Sequence, residues 1–116
     1  MPIVRSAEVK FGPGATPDYK RRVLVGPEKG SGAITMGEIV MDPGASLPLH
    51  THRIEESMII TRGIITAIMG NETYTLNPGD AILVPAWEKH LLANYSKEPA
   101  GFLFFYPGVE VQLERV

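Results

Sequence analysis

The chain has 116 residues, 44% hydrophobic and 21% charged, with a formal net charge of −2, which is ordinary globular composition with room for one domain and not two. Twelve glycines and ten prolines spread along its length leave no breaker-free stretch longer than Leu49–Arg62, which argues against a helical bundle, and the lack of Cys removes disulfides, thiolate ligands and a cysteine nucleophile. No apolar run is long enough to span a membrane, and the first residues lack a secretory pattern, so a soluble, cytoplasmic protein is expected.

In chain order, strand character appears at Ile3–Arg5, Glu8–Phe11, Lys20–Val25, Ile34–Met41, Ser57–Thr61, Ile64–Met69, Thr73–Leu76, Ala81–Val84, His90–Tyr95, Phe102–Tyr106 and Val109–Leu113. Turn chemistry separates them at Asp42-Pro43-Gly44, Gly70-Asn71, Asn77-Pro78-Gly79-Asp80 and Pro107-Gly108. In each Pro-Gly pair Pro fixes φ at the first central position and Gly accepts a positive φ at the second. Many short strands at this spacing predict an all-β domain, a sandwich, jelly roll or barrel, over residues 1–116 without a linker. Trp87, Leu91 and Tyr95 recur at helical spacing, as do His52 and Glu56, but Pro48 and Pro85 ahead of these segments and the run Met58–Thr61 favour strands. The basic triplet Lys20-Arg21-Arg22 reads as a solvated strand face, and no nucleic-acid partner is expected.

Chemistry concentrates in the histidines, of which there are three. On a strand, His50 and His52 project to one face with Cα atoms roughly 6.5–7 Å apart, close enough for both rings to meet one ion. Continued alternation brings Glu56 to that face and sends Glu55 to the other, while His90 closes the set from another strand. Three imidazoles and one carboxylate suit a divalent transition metal (Mn, Fe, Co, Ni, Cu or Zn) better than Mg or Ca. The same parity turns Met58 and Ile60 inward with Glu56, and Leu92 and Asn94 inward with His90, giving a mostly apolar pocket for a small organic ligand.

Two stretches carry a family resemblance. Gly44, His50, His52, Glu56 and Gly63 fall at the fixed positions of the first cupin motif, over 44–63, and Gly79, Pro85, His90 and Asn94 at those of the second, over 79–94. The chain thus resembles the small single-domain cupins, which implies one jelly-roll barrel (the double-stranded β-helix) over 1–116. It also implies one metal per chain on His50, His52, Glu56 and His90, with Fe or Mn favoured, and a homodimer with the N-terminal segment Ile3–Phe11 crossing to the partner. Trp87 departs from the second motif, where the family has Gly. A Trp pays for positive φ, so a different local turn is expected, with the indole either overhanging the pocket mouth or packing on the outer wall. Asn94 would support or line the site, or simply end a strand.

The resemblance implies a metal-dependent small-molecule enzyme, foremost a dioxygenase-type catalyst acting on a chelating enolate or catecholate. Two alternatives use the same four residues: a redox-neutral isomerase, cyclase or lyase, and a non-catalytic cup for a carbohydrate-like ligand. No Ser–His–Asp triad is available, because every His is already engaged.

Overall fold

The computed structural model describes residues 2–109 and the backbone of 113–115. In chain order the strands are β1 (Gly12–Pro13), β2 (Tyr19–Val25), β3 (Thr35–Met41), β4 (His50–His52), β5 (Glu56–Arg62), β6 (Ile65–Met69), β7 (Glu72–Leu76), β8 (Ala81–Val84), β9 (His90–Ala93), β10 (Ala100–Tyr106) and β11 (Leu113–Arg115). They form two antiparallel sheets, ordered β1-β2-β3-β10-β5-β8 and β11-β4-β9-β6-β7. Their inner faces meet as a jelly-roll β-barrel. Among the described residues no helix is long and apolar enough to cross a membrane.

Period-two alternation explains why these segments are strands. In β3, Thr35, Gly37, Ile39 and Met41 are buried while Met36, Glu38 and Val40 are less so. In β10, Phe102, Phe104 and Tyr106 turn inward against them. Gly37 is needed for that packing: a Cβ there would lie 2.2 Å from Phe104 Cζ and 2.6 Å from the Arg22 carbonyl. The Pro43-Gly44 and Pro78-Gly79 turns form as the sequence predicts, with φ of 84° and 93° at their glycines.

The N-terminal strands are not observed. Ile3–Arg5 has no partner strand and Ile3 is 65% exposed; Ser6–Glu8 is a 3-10 turn in place of the start of the second strand. The Arg22 guanidinium holds this turn to its own chain. It donates to the carbonyls of Ser6 and Val9 at 2.9 Å, pairs with Glu38 at 2.6 Å and lies 4.4 Å from the centroid of the Phe11 ring. Ser6–Phe11 is therefore tied to β2 within the chain. Of the strand predicted over Val109–Leu113, residues 110–112 lie outside the described residues.

Candidate metal centre

Register brings the histidines together. β4 pairs with β9 so that His50 stands opposite His90, and His52 lies two residues along the same face. Ring centroids are 4.1 Å apart for His50 and His90, 5.0 Å for His52 and His90, and 5.7 Å for His50 and His52. One ligating nitrogen from each ring falls within 4.8 Å of the other two, so the buried triad could hold a metal ion.

Backbone carbonyls fix which nitrogen that is. His50 Nδ1 lies 2.7 Å from the Pro48 carbonyl, His52 Nδ1 2.7 Å from that of Ile54, and His90 Nδ1 2.9 Å from that of Glu88. A carbonyl oxygen only accepts, so each Nδ1 carries the hydrogen and donates it, and all three Nε2 atoms are aimed inward. His90 Nε2 is buried with no hydrogen-bond partner. An orphaned buried acceptor costs about 1–3 kcal/mol, and a cation among the three rings would satisfy it. The residues fit a transition metal.

Glu56 faces the same centre, with Oε1 3.2 Å from His52 Nε2 and 3.9 Å from His90 Nε2. Its path there differs from simple alternation. The chain leaves the five-stranded sheet after His52, bends, and enters the six-stranded sheet at Glu56, so the residue arrives from the opposing wall. Glu55 is exposed. The hydrogen bond that the Glu56 carboxylate accepts raises the His52 pKa above its ordinary 6.5, opposed by burial, whereas burial is the main cause that lowers His90 to about 4. At neutral pH His90 is thus a bare acceptor, while the Glu56 carboxylate favours a proton on His52.

A cavity of about 330 Å³ opens from this centre, within the usual range for small-molecule sites. Its polar end is His50, His90 and Glu56; the walls are Met58, Ile39, Leu47, Leu92, Phe102 and Phe104, with Tyr19 and Tyr106. Phe104 and Tyr106 stack nearly parallel, 14° between their planes. Of the five residues expected in the pocket, Met58 and Leu92 line it, and Ile60, Asn94 and Trp87 do not. Ile60 points inward as parity requires but lies in the packed core. The Asn94 amide is consumed by backbone groups around it. Lys20 and Arg21 are exposed, as expected of the basic triplet, but the place of Arg21 beside the cavity was missed: alternation along β2 puts Tyr19 and Arg21 on the cavity side and Arg22 on the other.

Trp87 keeps the left-handed turn, at φ 67°, contrary to the expectation of a changed one. Its N–H donates to the His52 carbonyl at 2.8 Å and Glu88 N–H closes the turn onto Pro85 O, so the backbone between the two ligand-bearing strands is over-determined. The indole is 57% exposed and has no steric reason to force another shape. Trp87→Gly should therefore be neutral or raise stability by up to about 1 kcal/mol, since relieved strain and added unfolded-state entropy oppose each other. Thermal melts of the two proteins check this; a loss above that size would mean the indole itself stabilises the turn.

Residues 37–106 match the family model described as Cupin domain. No curated protein matches the chain. Among solved structures, it is similar to the polyketide cyclase RemF from Streptomyces resistomycificus, at 25% identity and TM-score 0.87 over 100% of this chain and 85% of that one. A sugar phosphate isomerase from a cupin superfamily, from Silicibacter pomeroyi, aligns at 21% identity and TM-score 0.80, covering 91% and 75% of the two chains. A cupin-2 domain protein from Rhodospirillum rubrum gives 19% identity and TM-score 0.83 over 99% and 80%.

Proposed function

This chain belongs to the cupin family, and from that premise we propose that it is a metal-dependent enzyme for redox-neutral cyclisation, isomerisation or elimination of a flat, oxygen-bearing organic substrate. One observation carries the reading: the inward Nε2 atoms of the triad, one of them an orphan, stand at one polar end of a largely apolar, aromatic-walled cavity. His50, His52 and His90 would hold the ion, with Glu56 as the fourth ligand. A divalent metal bound there supplies Lewis acidity toward a carbonyl oxygen and acidifies bound water. The chain's own residues do the rest. Backbone carbonyls lock the three rings, Phe102, Phe104 and Tyr106 offer faces on which a conjugated ring can lie, and the aliphatic walls exclude water from the reacting atoms.

The same four side chains serve O₂-dependent chemistry with Fe or Mn, the dioxygenase reading that led from sequence alone. The redox-neutral reading is favoured by the similarity to a polyketide cyclase over the whole of this chain. Turnover of a panel of polyketones and enols by Fe-, Mn-, Ni- and Zn-loaded protein in an oxygen electrode separates the two. Product without O₂ uptake is expected. Uptake in proportion to product would return the protein to the dioxygenases, and tight binding without turnover under any metal would make it a ligand cup.

Glu56→Gln should lower metal retention on gel filtration or shift metal preference, while Glu55→Gln should behave as a surface change. The reverse ranking would remove Glu56 from the ligand set.

We also propose a homodimer. The outer face of the six-stranded sheet carries a largely apolar groove with Val25, Ile34, Met36, Leu83 and Phe105 beside Glu55 and Ser57, in which Ile34 and Leu83 are 57% and 56% exposed. An apolar surface of this kind is unusual on a solitary soluble chain. Light scattering at micromolar concentration should give twice the chain mass; a monomer there would refute the pairing.

A further inference from the structure

Two adjacent arginines on β2 have opposite fates. Arg22, on the outer face, is saturated by Glu38, Ser6 and Val9. Arg21, on the inner face, is exposed and borders the cavity mouth, and among the described residues no carboxylate or carbonyl accepts from its guanidinium. Its Cζ lies 4.9 Å from the centroid of the Phe104 ring, a cation–π contact that holds the group against the aromatic wall.

Arg21 stands well away from the histidine end. Its strand is three steps across the sheet from the one that carries Glu56, through β3 and β10, and the register puts Arg21 level with Ile60, four residues along β5 from Glu56, so at ~4.8 Å per strand step and ~3.4 Å per residue the two backbones are at most about 20 Å apart. After allowing for the reach of both side chains, what remains is the length of a compound of one or two fused rings. Arg21 also borders a second surface cleft, with Lys10 and Lys29, which places it at the cavity's outer rim. A guanidinium offers five donors in a planar fork that matches a carboxylate, and it keeps its charge at any working pH.

We propose that Arg21 is a specificity-determining residue that receives an anionic substituent, a carboxylate or acidic enolate, at the end of the substrate away from the metal centre. This rests on the cavity being the substrate site. The substrate is then a conjugated acid anchored at both ends: an oxygen group toward the histidines and a negative charge against Arg21. Phe104 serves both halves, with its ring available to the ligand and to the guanidinium.

The test compares two probes on the metal-loaded protein by calorimetry: a naphthalene dicarboxylate with its acids at opposite ends, and its monoamide, of the same shape with one charge fewer. Wild type should bind the dicarboxylate about tenfold more tightly, and added salt should shrink the difference. Arg21→Gln should abolish the preference yet bind the monoamide as wild type does, which shows that the barrel and cavity are intact. Arg22→Gln should melt lower but keep the preference. Equal affinities in wild type, or a preference that survives Arg21→Gln, would overturn the role of Arg21 while leaving the cavity reading in place. Failure of both probes to bind would overturn the cavity reading and this inference with it.

Discussion

Saturating divalent metal should raise the melting temperature of the chelator-treated protein by about 10 °C or more, and His90→Ala should abolish that response. A ligand that binds only the folded state stabilises it by ~2.7 kcal/mol at a hundred times its dissociation constant, and each kcal/mol is worth roughly 4–8 °C in a small domain. The folded chain alone brings the three nitrogens within 4.8 Å of one another and leaves His90 Nε2 without a partner, so the gain belongs to the native state. Acid should shrink it. His52 holds its proton more firmly than an ordinary imidazole because Glu56 accepts from it, and metal must displace that proton, so affinity falls as pH drops through this raised pKa. His90, lowered to about 4 chiefly by burial, needs no such displacement. Identical melts with and without Zn, Mn, Fe, Co, Ni and Cu, each checked by elemental analysis, would remove the metal centre altogether.

Much of this architecture is legible in the sequence because it is written in short-range terms. The Pro-Gly turns fix their own dihedrals, and strict alternation in 35–41 and 102–106 assigns inner and outer faces without reference to the rest of the fold. The pair His50 and His52 needs only strand parity to share a face. What alternation cannot supply is the moment when the chain changes sheets. Glu56 reaches the histidines across the barrel from the other wall, and parity arrives at it only because both sheets turn their inner faces to one interior. The N-terminus fails for a related reason: among the described residues Ile3–Arg5 pairs with no strand, and the partner of Ser6 and Val9 is a side chain, Arg22, whose target is invisible in one dimension. Arg21 was hidden by its neighbours. In a run of three basic residues charge suggests solvent, and the middle one is exposed, but the pleat also turns it to the cavity side.

Asn94→Ala should cost about 3 kcal/mol and lower the melting temperature by roughly 10–20 °C, although the side chain lies outside the cavity. Asn94 is fully buried, and its amide nitrogen donates to the carbonyls of Met41, Asp42 and Glu98 at 3.2, 3.3 and 2.7 Å. Its Oδ1 accepts from the Ser96 backbone N–H at 3.0 Å and from the Ser96 hydroxyl at 2.7 Å. Truncation takes this partner from the Met41 carbonyl and the Ser96 N–H, while the Asp42 carbonyl keeps the Ala45 N–H and that of Glu98 keeps the Ser96 hydroxyl, and the cost falls on the end of β3 and the loop that follows it. Backbone bonds from Gly44 N–H to Asn94 O and from Asn94 N–H to Ala45 O bind that same loop, which leads within a few residues to His50. Asn94→Asp should be worse than Asn94→Ala, because a carboxylate accepts but cannot donate, and would face three carbonyl oxygens with a buried negative charge. Ser96→Ala removes one donor to Oδ1 and should cost about 1 kcal/mol. The expected ranking in thermal melts is therefore Asp, then Ala, then the Ser96 variant. An Asn94→Ala loss below about 1 kcal/mol would mean that water reaches the stranded groups, and that the approach to His50 is held by backbone pairing alone.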